Sequence, residues 1–215
     1  MLLALDTATR TTGLALHDGH QVVTESIWLG GGHQTVQLAP EVALAMRRVG
    51  TPLSGLTSLA VAQGPGSFTG LRIGWALAKG IALAHNLPLV GIPTLDILAR
   101  AQPGGRHQLI AVLQAGRGRV AAVWYKWNGQ EWTVRGQAEA MDWAGLVDRV
   151  DGPSVVCGEI DVPGREALRG VSKVTLASPA QCLRRPAVLA EMALEILRSG
   201  QRPSAASQTP IYLDT

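Results

Sequence analysis

Cysteine is nearly absent from this chain of 215 residues, occurring only as Cys157 and Cys182. The two stand far apart, with no C-x-x-C and no ligand spacing, so neither a disulfide framework nor a zinc site is signalled. H-E-x-x-H is missing as well, and His17 and His20 flank a turn rather than sitting at i, i+4 on a helix. No metal site is therefore expected. Lysine is equally scarce: Lys79, Lys126 and Lys173 are the only three, and the remaining basic residues are scattered arginines. The pairs Arg47-Arg48 and Arg184-Arg185 are too short for a nucleic-acid tract, and the net charge is only +3. No run reaches the ~18 uninterrupted apolar residues of a membrane span. The start lacks a basic n-region and enters a strand pattern containing Asp6, so no signal peptide is expected and the cytoplasm is the inferred compartment.

The composition, 47% hydrophobic with 16% charged residues, is that of a globular rather than a disordered chain, long enough to bury a sizeable core. Leu2–Asp6, Thr12–His17 and Gln21–Trp28 read as strands, with Asp18-Gly19 as a hairpin turn. A helix follows from His33 to Val49, striped by Leu38, Val42 and Ala45 and stopped by Gly50. Pro40 belongs in its first turn or at a kink. A strand at Leu59–Ala62, a helix from Ser67 to His85, a strand at Leu89–Ile92 and a short helix from Thr94 to Ala101 come next. Pro103-Gly104-Gly105-Arg106 marks a domain boundary, giving a first domain over 1–102 and a second over 103–182. The second holds strands at Leu109–Gln114, Val120–Trp127 and Glu131–Arg135, with Asn128-Gly129 as a hairpin turn. A helix near Asp142–Val150, a strand at Val155–Cys157, a short helix near Gly164–Leu168 and a strand at Lys173–Leu176 complete it. Residues 183–215 supply a helix opened by Pro186, which returns to the first domain in this reading. Trp124-Tyr125-Lys126-Trp127 offers either stacking surfaces or a strand with alternate aromatics turned inward.

The most informative stretch is Gly64-Pro65-Gly66-Ser67-Phe68-Thr69-Gly70-Leu71-Arg72, at a strand-to-helix junction. Its glycines permit a tight turn, and Ser67 and Thr69 are candidate N-caps. Such a junction either holds a phosphate or lets two backbones approach closely. Within the helix, Gly70, Gly74, Ala78 and Ala82 recur every four residues and form a flat ridge. Helical glycine costs roughly 1 kcal/mol against alanine, so a compensating contact is expected, either with a partner helix or with the chain's own sheet.

Met1–Thr12, the GPGSFTGLRIG run with its following AKG, Pro88–Leu98 and Pro210–Leu213 together resemble the TsaB (YeaZ) family. That family is a bacterial subunit of the machinery that makes threonylcarbamoyladenosine in tRNA. The resemblance implies two ribonuclease-H-like subdomains of the actin/Hsp70 superfamily, each a mixed sheet with flanking helices. Such folds hold Mg-nucleotide on paired turns that each carry a carboxylate. The first turn, Asp6-Thr7-Ala8-Thr9, keeps its aspartate but has Ala8 where glycine is usual. The second, Gln114 to Arg119, contains no carboxylate. Asp6, Thr7 and Thr9 thus read as a degenerate phosphate loop, with Asp6 capping the turn, and no cofactor or catalytic residue is expected.

The resemblance implies a non-catalytic scaffold that pairs with and activates the catalytic subunit TsaD. The ATPase TsaE then cycles the complex, a homodimer forms when the chain is alone, and tRNA is met through the complex. Pairing falls to His33, Val36, Pro40 and Ala43 on the first helix and to Phe68, Leu71, Gly74, Trp75 and Ala78 on the second. The alternative is an independent ATP-binding enzyme of the same superfamily, a small kinase or ATPase.

Overall fold

Leu2–Asp6 (β1) is buried at every position, as befits a central strand covered on both faces. It pairs antiparallel with Thr11–His17 (β2), which pairs antiparallel with Val22–Leu29 (β3) across the Asp18-Gly19 turn. Helix Gln34–Arg48 (α1) then crosses to Ser58–Gly64 (β4), which lies parallel to β1. Helix Phe68–His85 (α2) leads to Leu89–Pro93 (β5), parallel to β4. The sheet order is β3-β2-β1-β4-β5. Parallel neighbours need such crossovers, and helices are the usual solution. Pro40 lies inside α1 rather than in its first turn.

Helix Thr94–Arg100 (α3) precedes a second sheet built from Gln108–Gly116 (β6), Arg119–Trp127 (β7) and Trp132–Met141 (β8). Trp143–Asp148 (α4), Ser154–Gly158 (β9), Val162–Arg169 (α5) and Val174–Leu176 (β10) follow. The order is β10-β9-β6-β7-β8, with β6, β7 and β8 antiparallel and β6, β9 and β10 parallel. The first sheet repeats this pattern strand for strand. Two ribonuclease-H-like subdomains therefore share one chain. β8 runs six residues beyond the expected end at Arg135, since Gly136 takes a φ of 83° and a register shift near Ala122 lets pairing resume. Two short 3₁₀ turns, Leu53–Gly55 and Pro179–Cys182, carry no periodic signal and were not anticipated by the sequence pattern.

The computed structural model describes residues 1–213. It divides into one unit of residues 1–94 with 185–212, and a second of residues 95–184 with 213. The division falls just after Thr94, the first residue of α3, rather than at Pro103–Arg106. The reason is packing: Leu95, Leu98 and Ala99 share a core with Leu109, Val123 and Tyr125.

The last helix, Pro186–Arg198 (α6), lies across the first sheet. Thr12 and Gly13 are successive residues of β2 and so point to opposite faces. Thr12 Oγ1 accepts from Gln34 of α1, whereas a Cβ at Gly13 would press on Pro186. α1 and α6 thus cover opposite faces. The N-cap residue of α6, Arg185, makes no side-chain cap. Glu25 of β3 caps it instead: its Oε1 accepts from Ala187 N at 2.9 Å and its Oε2 from Arg185 Nε at 2.8 Å. Among the described residues no helix is long and apolar enough to cross a membrane.

Candidate functional site

The β1–β2 turn is closed by its own side chains. Asp6 Oδ1 accepts from Ala8 N at 2.9 Å, so the carboxylate spans the turn it stands in. Thr7 Oγ1 donates to Gly70 O at 2.7 Å, and Ser67 N donates to Ala8 O at 2.6 Å. Asp6, Thr7, Ala8 and Thr9 are all buried. The segment that buries them is the glycine-rich junction itself. A Cβ at Gly66 would collide with Ala8 O, one at Gly70 with Thr7 O, and one at Gly74 with Thr7 Oγ1. Ser67 is the N-cap of α2 and accepts from Gly70 N through its hydroxyl. Two donors at that helix end, Ser67 N and Gly70 N, are thus spent inside the protein.

This geometry corrects the pairing face drawn from the sequence. Leu71, Gly74, Trp75 and Ala78 lie in the interior of the chain, and the flat ridge of α2 faces its own first strand and turn. The two helical glycines gain the close seat on Thr7, which offsets their propensity cost of roughly 1 kcal/mol each. His33, Val36, Pro40 and Ala43 are exposed on the outward face of α1, with Val36 68% accessible. Phe68 is 53% accessible and lines a groove of about 500 Å³ between α1 and α2, with Thr35, Leu38, Ala39 and Ile73. Arg72 holds its guanidinium 3.6 Å above the Phe68 ring, a cation–π contact, and Tyr212 packs on the same ring at 5.0 Å. Tyr212 arrives there because Ile211 N donates to Gln63 O at 2.7 Å and Gln63 Nε2 to Thr209 O at 2.9 Å.

The second turn has its own device. Gly116, Arg117 and Gly118 take φ of 75°, 54° and 73°, a left-handed run that costs arginine roughly 1–2 kcal/mol. Gln114 N donates to Glu159 Oε2 at 3.2 Å and its side-chain amide to Glu159 O at 3.1 Å. Glu159 in turn pairs with the buried Arg184, Nη1 to Oε1 at 3.1 Å. A carboxylate does stand beside this turn, then, but it comes from just past β9 and is held by a cation. Mg-nucleotide needs free hard oxygens at both turns. Asp6 is bonded across its own turn and Glu159 to Arg184, so these residues do not fit it. Among the described residues no three His, Cys, Asp or Glu side chains gather as a metal site.

Gln34 was missed by sequence reasoning, which favoured its neighbour His33. Gln34 is buried and donates to Thr9 O at 2.6 Å and Thr12 Oγ1 at 2.9 Å, tying α1 to the first turn. Its signal would have been a polar residue on the apolar stripe with Leu38. Glu159 and Arg184 had no local signal at all.

A Bacillus subtilis (strain 168) relative, tRNA threonylcarbamoyladenosine biosynthesis protein TsaB, is 30% identical over 202 residues, covering 90% of this chain and 87% of the relative. The chain belongs to the TsaB family. The protein of that name from Escherichia coli (strain K12) is 35% identical over 139 residues, 60% of this chain and 59% of the relative. A family model described as TsaD, tRNA N6-adenosine threonylcarbamoyltransferase, matches residues 31–148. The solved structure of YeaZ from Pseudomonas aeruginosa superposes with a TM-score of 0.76 at 25% identity, covering 99% of each chain.

Proposed function

We propose that this chain is a non-catalytic subunit of the machinery that forms threonylcarbamoyladenosine in tRNA, pairing through α1 and α2 with the catalytic subunit TsaD. The TsaB-named relatives support the biosynthetic role. The pairing rests on one observation, the groove between α1 and α2. It is walled by Leu38, Ala39, Phe68, Ile73 and Ala76, with Phe68 more than half exposed at its mouth. A large apolar side chain beside a shallow groove is the form of an interface anchor. The match of residues 31–148 to a TsaD model supports a partner with a comparable helix pair, so the two would meet as near-equivalents. The same face serves a second copy of the chain when TsaD is absent. Neither turn fits Mg-nucleotide, so the transfer chemistry belongs to TsaD and the ATPase step to TsaE.

Co-expression with TsaD and size-exclusion chromatography test this. The native chain should co-elute with TsaD, while Ala76→Arg and Phe68→Asp should elute alone, the exposed Ala76→Arg with an unchanged melting temperature. Co-elution of both variants at native yield would remove the groove from the interface.

A further inference from the structure

The second unit carries a groove that the pairing face does not use. Two cavities, of about 410 and 480 Å³, share Gln108, Arg135 and Asp151. Trp124 lines the first, and Arg106 and Lys126 line the second. Trp124 pairs with Arg135, and Lys126 with Thr133, across β7 and β8. Since side chains alternate along a strand, Trp124, Lys126 and Arg135 project from one face. Tyr125, between them, points the other way into the core. Tyr125 is fully buried, whereas Trp124 packs in part against the core of Ile110, Val112 and Trp143 and lines the cavity with the rest of its ring.

The groove has four cations, Arg106, Lys126, Arg135 and Arg149, against two carboxylates, Glu139 and Asp151. Arg149 is neutralised by Glu139. Arg106, Lys126 and Arg135 have no carboxylate within ion-pairing distance among the described residues. Gln108 Nε2 donates to Asp151 Oδ1 at 2.6 Å, and the charge of Arg135 acts on the same carboxylate from beyond ion-pairing distance.

We infer that this groove binds single-stranded RNA, with a base stacked on Trp124 and phosphates on Arg106, Lys126 and Arg135. An aromatic platform flanked by unpaired cations is the recurrent solution for single strands, because every base offers a π-face and every linkage a charge. An acidic protein segment would meet the same cations and the same carboxylates but leave the indole without a stacked partner, so the aromatic surface is what favours RNA. The inference rests on the tRNA-modification reading only in choosing RNA over DNA.

Fluorescence anisotropy on the isolated chain, with a labelled single-stranded RNA of about 12 nucleotides, tests it. We expect saturable binding with a dissociation constant of about 10⁻⁴ to 10⁻⁶ M near physiological salt. Three phosphate contacts predict a log–log salt slope of about −2. Lys126→Glu with Arg135→Glu should weaken binding by about tenfold or more and flatten that slope. Arg165→Glu with Arg169→Glu, the same charge change on α5, should leave it within about twofold. Trp124→Ala should lose about fivefold or more and Trp124→Phe should recover most of it, which separates stacking from packing. The inference is overturned by absent binding, by equal losses in the two charge-reversed proteins, or by polyglutamate displacing the RNA as well as unlabelled RNA does. Because TsaD is not in the assay, failure here leaves the pairing untouched, and failed co-elution leaves this result standing.

Discussion

Gly74 rests directly on the hydroxyl of Thr7, with no room for a side chain between them. The contact joins the middle of α2 to the turn after β1, and the same hydroxyl donates to Gly70 O one turn earlier. A helix and a turn 63 residues apart are locked by one threonine and two glycines.

Gly74→Leu should therefore destabilise the chain itself rather than merely unpair it. Overpacking at a closed site costs about 1–3 kcal/mol or more. For a chain of this size that lowers the melting temperature by about 2–4 °C per kcal/mol. Circular dichroism melting of the isolated chain reads it; an unchanged transition would mean the position is open.

Isothermal titration with Mg-ATP should give no stoichiometric heat. Asp6 Oδ1 is already an acceptor for Ala8 N, and Glu159 is paired with Arg184. A Mg-dependent site abolished by Asp6→Asn would overturn this and favour the kinase-like alternative.

Glu25→Ala should loosen α6. It deletes the acceptor for Ala187 N and the partner that raises the Arg185 pKa through a hydrogen bond and charge. Losing a helix cap costs about 1 kcal/mol. Proteolysis beyond Leu183 should accelerate, and Glu25→Gln should restore part of the protection by keeping an acceptor oxygen. Native-like digestion of Glu25→Ala would show that α6 docks without its cap.

Asp96 accepts from Tyr125 Oη–H at 2.7 Å, and burial raises its pKa above the usual 3.8 despite that bond. A raised folded pKa means the neutral carboxyl is favoured by folding. That stabilisation is complete below the ordinary value and is lost as pH rises through the folded one. Asp96→Asn keeps an acceptor for Tyr125 and carries no charge, so it should melt higher than the native chain at neutral pH. The gap should close on acidification. A lower melting temperature at neutral pH would show that the charge itself is stabilising.

The order of strands and helices was legible because period-two and period-3.6 patterns and turn residues act within a few positions. Ser67 capping α2, Asp18-Gly19 and Asn128-Gly129 closing hairpins, and Gly50 ending α1 are all local chemistry. The GPGSFTGLRIG run, together with Met1–Thr12, the following AKG and Pro88–Leu98, likewise pointed to the family. What the sequence left open was the direction in which the small-residue ridge of α2 faces. A glycine row fits a partner helix or a sheet equally well, and only the position of Thr7 decides for the sheet. Glu25 reaching α6 and Glu159 reaching Gln114 span 162 and 45 residues. No periodicity encodes such pairs, because side-chain partners across a fold are chosen by which strands become neighbours, and that is settled by the packing of the whole.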